Sequence, residues 1–237
     1  MNALQIAENI RKEMKAAGNA KFKEAQERYF KEEIKTYGVR VPEVRLVAKK
    51  YFSELKGQLQ YRDFVVLCEE LLKDGMFEDG VIAFTVMGKL KKYFDEDTFF
   101  LFERWLNRYV SNWAHCDFLS SDLIGYVIGK YPKLFEELKE WTVSKNRWVR
   151  RSAAVSLVVH ARRGNFLREI FYIAGKMMQD KDDMVQKGVG WVLKEASKKH
   201  EKEVISFLMK WKKNAPRLVL RYATEKVSGK NKNLIMR

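Results

Sequence analysis

The chain has 237 residues, 46% hydrophobic and 32% charged, enough apolar side chain for a substantial core in one domain or one continuous array. No apolar run approaches the roughly 20 residues of a membrane span, and Glu8, Arg11, Lys12 and Glu13 interrupt the N-terminus where a signal peptide needs an apolar core. Lys and Arg outnumber acids 46 to 31, a net charge of +15 that points to a polyanionic partner, nucleic acid ahead of a membrane surface, or else to a generally basic surface.

Cys68 and Cys116 stand far apart, which fits a reducing, cytoplasmic setting without a disulfide framework. Three histidines and two cysteines offer no metal-ligand spacing, so no metal is expected.

Taken in order, the chain shows helical periodicity and no strand-like alternation. Ile6, Ile10 and Met14, then Phe22, Ala25 and Tyr29, recur as apolar spokes. Gly38 is expected to end one helix and Pro42 to start the next. Helices are then expected over 42–55, 61–73, 77–94, 97–110, 117–130, 132–143, 147–163, 166–179, 183–199, 201–212 and 216–227. The fold class is all-α.

A repeat underlies this order. Trp105, Trp141, Met177 and Trp211 each fall near a helix end, about 36 residues apart. Polar helix-start signals follow: Ser111-Asn112, Lys145-Asn146, Lys181-Asp182 and Lys213-Asn214. The pattern predicts a HEAT-like helical-repeat solenoid of about six units, a single domain over 1–228 with a short basic tail at 229–237, either a disordered basic arm or a frayed end. Such stacks curve, and one helix layer lines a concave face. Asp117, Arg151, Lys187 and Arg217 or Arg221 share one place in the repeat, which predicts a basic concave face suited to phosphates. Arg147 and Arg150 start the same helix as Arg151. Arg150 and Arg163 fit an ordinary solvated face equally well.

The candidate site is Asn112-Trp113-Ala114-His115-Cys116-Asp117. Trp113 and Asp117, four apart, share a face if the turn between them is helical. Arg151 and Trp191 are candidates for the same surface. Phe99, Phe100, Phe102 and Trp105 have core spacing, Trp141 and Trp211 recur with the repeat, and Trp148 reads as core. Gly188 and Gly190 flank Trp191's turn and either admit another chain or serve tight helix packing. His115 reads as a bystander or a hydrogen-bond donor, and His160 and His200 as structural or exposed.

Together these residues resemble the AlkD-type DNA alkylation repair family, HEAT-like glycosylases acting on alkylated purines. The matching segments are Arg28-Tyr29-Phe30, Gly38 to Pro42, Asn112 to Asp117 with Ile124-Gly125, Lys130-Tyr131-Pro132, SKNRWVRRSAA from Ser144, QKGVGWVLKE from Gln186 and APRLVLRYATEK from Ala215. The resemblance implies Asp117 as the catalytic carboxylate, Trp113 and Trp191 as aromatic walls facing the lesion's deoxyribose, Arg151 on a backbone phosphate and Tyr29 completing the aromatic cleft. It implies double-stranded DNA containing alkylated purines as partner, no metal or organic cofactor, a monomer, and association with the nucleoid when bound. Asn112 stands where some relatives carry a second Trp and Ala114 where they carry an acid, differences that bear on substrate range. Relatives without the aromatic and acidic set bind DNA without excising bases. A non-catalytic binder of DNA structures and a protein-binding helical scaffold are therefore the alternative readings.

The residue types suit the chemistry. A purine alkylated at N3 or N7 is cationic, so its leaving group needs no general acid. What needs stabilising is positive charge developing on the sugar, which one carboxylate and two indole faces can supply.

Overall fold

The computed structural model describes residues 2–237. Among these the β structure is confined to a single bridge between Lys35 and Met76, and the class is all-α as the periodicity predicts. No helix among the described residues is long and apolar enough to cross a membrane. The chain forms two compact units, Met1–Asp95 with Arg108–Leu119, and Glu96–Asn107 with Ser120–Arg237.

In the first unit, α1 (Ala3–Ala17) begins at Asn2, whose side chain accepts the Gln5 N–H, and buries Ile6, Ala7, Ile10 and Met14 on one face. The helix α2 (Ala20–Tyr29) is capped by Asn19 and buries only Gln26. Next come α3 (Val41–Leu55), with Pro42 in its first turn, and α4 (Tyr61–Leu72), which packs on α1. The apolar α5 (Phe77–Lys89) packs on both α3 and α4. Nearly all of α6 (Glu96–Arg108) belongs to the second unit, and the short α7 (Trp113–Phe118) returns to the first, against α5.

Three expected boundaries move. The helix expected over 117–130 starts earlier, at Trp113, and is interrupted by a π-helical stretch from Leu119 to Ile124. The helix expected to reach Gly38 stops at Tyr29, and residues 30–40 form no regular helix, with Gly38 at φ 81°. The helix expected over 77–94 stops at Lys89, followed by a 3₁₀ turn, Lys91–Tyr93.

In the second unit, α6 buries Phe99, Phe102 and Trp105, while Phe100 is 38% exposed and stays outside the core. Trp141 stacks on Phe99 at 4.8 Å and donates its indole N–H to Glu103 at 2.6 Å. After a π-helical stretch, Leu119–Ile124, come α8 (Gly125–Lys130), a 3₁₀ turn and α9 (Phe135–Trp141). The single helix expected over 147–163 is two, α10 (Arg147–Val155) and α11 (Val158–Arg163), separated at Ser156 and Leu157.

The remaining helices are α12 (Leu167–Met177), α13 (Asp183–Ser197), α14 (Glu201–Trp211), α15 (Arg217–Ala223) and α16 (Gly229–Met236). Here the repeat is plain. The helices α10, α13 and α15 pack in succession, α9 packs on α10, and α12 and α14 both pack on α13, with Phe171 of α12 stacked on Phe207 of α14 at 4.6 Å. Trp141 and Met177 are buried, as their period predicts, whereas Trp211, expected in the core on the same period, is only half-buried. Glycines let α10, α13 and α15 approach closely. A Cβ at Gly188 would meet Arg151 Cγ at 3.2 Å, and one at Gly190 would meet the Val219 carbonyl at 3.1 Å, so both serve helix packing. His160 and His200 link neighbouring elements, donating to the carbonyls of Gly125 (2.8 Å) and Gly164 (3.0 Å). The segment expected as a disordered arm or a frayed end is helical: α16 buries Ile235, and its Leu234 carbonyl accepts from Lys212 at 2.8 Å.

Candidate functional site

Asn112 organises the start of the site. It is buried, and its side-chain oxygen accepts the His115 N–H at 2.9 Å, so α7 begins at Trp113. Helical geometry then puts Trp113 and Asp117 on one face, the condition the sequence left open. Both are half-buried.

The Trp113 indole is built into an aromatic row of the first unit. Phe30 stacks on it at 5.3 Å with 21° between planes, and Tyr29 meets it edge-on at 6.0 Å. Phe30 is buried and packs edge-on against Phe77 at 5.6 Å. Phe77 in turn stacks on the His115 ring at 5.2 Å, and Phe84 meets that ring edge-on at 5.6 Å. Tyr29 is 72% exposed, so the row ends in a ring open to solvent.

His115 is a hydrogen-bond donor, one of the two roles its sequence context allowed. Its Nε2–H donates to the Phe77 carbonyl at 2.9 Å, since a carbonyl can only accept. Burial holds its pKa below the ordinary imidazole range, against the smaller opposing effects of that hydrogen bond and of Glu78, and the ring is neutral at physiological pH.

Two neighbouring acids on α5 brace the segment that follows Tyr29 and Phe30. Glu78 is fully buried and accepts from the Thr36 hydroxyl at 2.6 Å and from the N–H groups of Tyr37, Gly38 and Val39 at 3.0 Å each. Asp79, also buried, meets Arg11 at 3.2 Å; burial pushes its pKa up to about 6, with Arg11 pulling the other way. The Tyr37 hydroxyl, 3.4 Å from Asp79, lies above its ordinary range, through burial first and the neighbouring carboxylate second.

The second unit holds the other candidates. Arg151 is 5% exposed and donates to the Met184 carbonyl. Trp191 is half-buried on α13. Arg147 pairs with Asp182 at 3.1 Å and lies over Trp148, which is buried as expected. Lys187 pairs with Asp183 at 3.2 Å, an acid that Arg147 also approaches at 3.8 Å. Arg150 is pinned by Asp180 at 2.7 Å and by the Ser144 carbonyl at 2.7 Å. Arg217 donates to the Met236 carbonyl, and exposed Arg221 lies over Tyr222 at 5.8 Å. Tyr29, Trp113 and Asp117 are thus gathered in one unit; the basic candidates belong to the other, each in its own local set of contacts.

Sequence reasoning missed Phe30, Phe77 and Glu78. Phe30 lies inside the matched Arg28-Tyr29-Phe30, and Phe77-Glu78-Asp79-Gly80 was legible only as a helix start. Among the described residues no group of three or more His, Cys, Asp or Glu could hold a metal ion.

Comparison with known proteins places this geometry in context. A search of curated proteins finds no match. Among solved structures, the chain is similar to a predicted DNA alkylation repair enzyme from Enterococcus faecalis, at TM-score 0.78 and 14% identity over 90% of this chain and 97% of that one. It is similar to AlkD2 from Streptococcus mutans at TM-score 0.62 and 20% identity, over 80% and 91% of the two chains. A third likeness, to smu.31 from Streptococcus mutans UA159, has TM-score 0.58 and 17% identity over 78% and 100%. These structural likenesses show a shared fold. The model of the family described as DNA alkylation repair enzyme matches residues 10–227, nearly the whole chain, and on that match the chain belongs to the DNA alkylation repair enzyme family.

Proposed function

We propose that the chain is a monofunctional DNA glycosylase that excises cationic N3- or N7-alkylated purines by hydrolysing the N-glycosidic bond. The observation that carries this reading is Trp113, braced by Phe30 and edged by Tyr29, with Asp117 one helical turn away on the same face of α7. A surface for phosphate alone gains nothing from a carboxylate beside an indole. A site for a cationic sugar gains from both.

In this mechanism the alkylated base departs without protonation, because alkylation has already made it a good leaving group. As the C1′–N bond breaks, the Asp117 carboxylate stabilises the oxocarbenium-like sugar and orients the attacking water. Trp113 adds cation–π attraction of roughly 0.5–2 kcal/mol, and by family resemblance Trp191 adds a second indole and Arg151 a phosphate contact. Tyr29, Lys187, Arg147, Arg217 and Arg221 complete the proposed DNA contacts; Arg150, a candidate from the sequence for the same role, is held by Asp180 and is left out of them. The reaction as written uses no metal or organic cofactor, and the chain works as a monomer.

Release of alkylated base from methylated duplex DNA, wild type beside Asp117→Asn, tests the proposal. The expected outcome is a loss of about 100-fold or more in the variant with DNA affinity retained. Tight, salt-sensitive binding with no release by either protein would replace the enzyme with a non-catalytic DNA binder. Equal excision of N7-alkylguanine and neutral uracil would remove the argument from leaving-group charge.

A further inference from the structure

We infer that His115 is a positioning residue for the proposed excision, anchoring α7 to α5 so that Trp113 and Asp117 face outward together; the inference rests on the glycosylase reading. A helix of six residues does not hold its own orientation, so whatever its inward side chains grip decides how it is rotated. At about 100° per residue, His115 projects roughly 180° from the midpoint of Trp113 and Asp117. Fixing His115 inward therefore fixes the other two outward.

The grip on His115 is close on every side that the first unit presents. Its Nε2–H is held by the Phe77 carbonyl at 2.9 Å, its face lies on the Phe77 ring at 5.2 Å with 10° between planes, and Phe84 stands edge-on at 5.6 Å. Beneath it lies Gly80, where a Cβ would stand 2.5 Å from Nε2. Glycine at 80 is thus required by the ring, and the two positions act as one lock. Phe77 also touches Phe30, the ring stacked on Trp113, so the same residue of α5 supports Trp113 through Phe30 and holds α7 through His115. His160 and His200 make comparable bonds to carbonyls, but neither lies between an indole and a carboxylate on a short helix.

The test is a double-mutant cycle of His115→Ala and Gly80→Ala, with His115→Gln as the variant that keeps a donor for the Phe77 carbonyl. Single-turnover excision, DNA affinity and the assigned Trp113 indole N–H signal are measured at a temperature where melting curves show each protein folded. His115→Ala is expected to lower the single-turnover rate about 10- to 100-fold, the scale of a small misplacement, with DNA affinity changed by less than about threefold. His115→Gln is expected to recover part of the loss. Gly80→Ala should cost rate in the wild type but little more in His115→Ala, where the ring it would strike is gone. A fully folded His115→Ala that excises at the wild-type rate would overturn the inference, as would an equal Gly80→Ala cost in both backgrounds. A wild type that releases no base would end the glycosylase reading by itself. The indole signal then decides the anchoring: unmoved in His115→Ala it overturns the lock, and moved it upholds it.

Discussion

Tyr29 and Phe30 are neighbours in sequence and opposites in exposure, 72% against 9%, because the helix ends between them and the next side chain turns inward. Both touch Trp113, one at its edge and one at its face. Their replacements should therefore separate stability from function. Phe30→Ala removes a buried ring and is expected to cost about 3 kcal/mol of stability or more. Tyr29→Ala removes an exposed ring and should cost less than about 0.5 kcal/mol, while lowering excision at sub-saturating protein. Urea unfolding and excision on the same preparations check both; a Tyr29→Ala protein as destabilised as Phe30→Ala would mean the exposed ring is structural. The resemblance assigned Tyr29 a role and left Phe30 without one. Which of two adjacent aromatics turns inward depends on where α2 stops, and composition does not mark that point.

At the scale of elements, the start of α7 was legible and its surroundings were not. Asn112 is a strong cap, so a helix start beside it is legible in local chemistry, while the shared face of Trp113 and Asp117 depends on a helical turn that the local sequence leaves open. The segment 30–40 was not legible, because what holds it is 40 residues away: Glu78 collects three backbone N–H groups and a hydroxyl from it. Periodicity reports which face a helix buries and is silent on a loop whose donors find a distant carboxylate. The break between α10 and α11 carries no Gly or Pro at Ser156 or Leu157, and its setting is likewise tertiary: Gly125, where a Cβ would stand 2.7 Å from the Ser156 carbonyl. If Glu78 holds the segment, Glu78→Ala leaves buried donors without an acceptor and should cost on the order of 3 kcal/mol. Hydrogen exchange at Tyr37, Gly38 and Val39 should rise with it; unchanged exchange there would show that the segment is held by something else.

At the scale of the whole molecule, the repeat was legible because buried Trp141 and Met177 recur with their helices, whereas the division into two units was not. The chain leaves the first unit at Glu96 and re-enters it at Arg108, and the helical pattern runs through α6 without a mark. Net charge was legible too, yet +15 does not say which cations are available to a phosphate. Arg150 is half-buried and engaged by Asp180, whereas Arg221 is exposed beside Tyr222. Counterion release counts only cations that meet phosphate, so the two arginines should behave differently. Arg221→Ala is expected to leave stability unchanged and to reduce the slope of log affinity against log salt by about 1. Arg150→Ala should leave that slope alone and cost about 2 kcal/mol of stability, the scale of hydrogen bonds to a charged partner. Affinity for a fixed duplex measured across a salt series, with a melting curve for each protein, separates these cases. Equal slope changes for both variants would mean that Arg150 exchanges Asp180 for phosphate on binding. No salt dependence in the wild type would remove DNA as the partner of the basic surface and leave the protein-binding scaffold in its place.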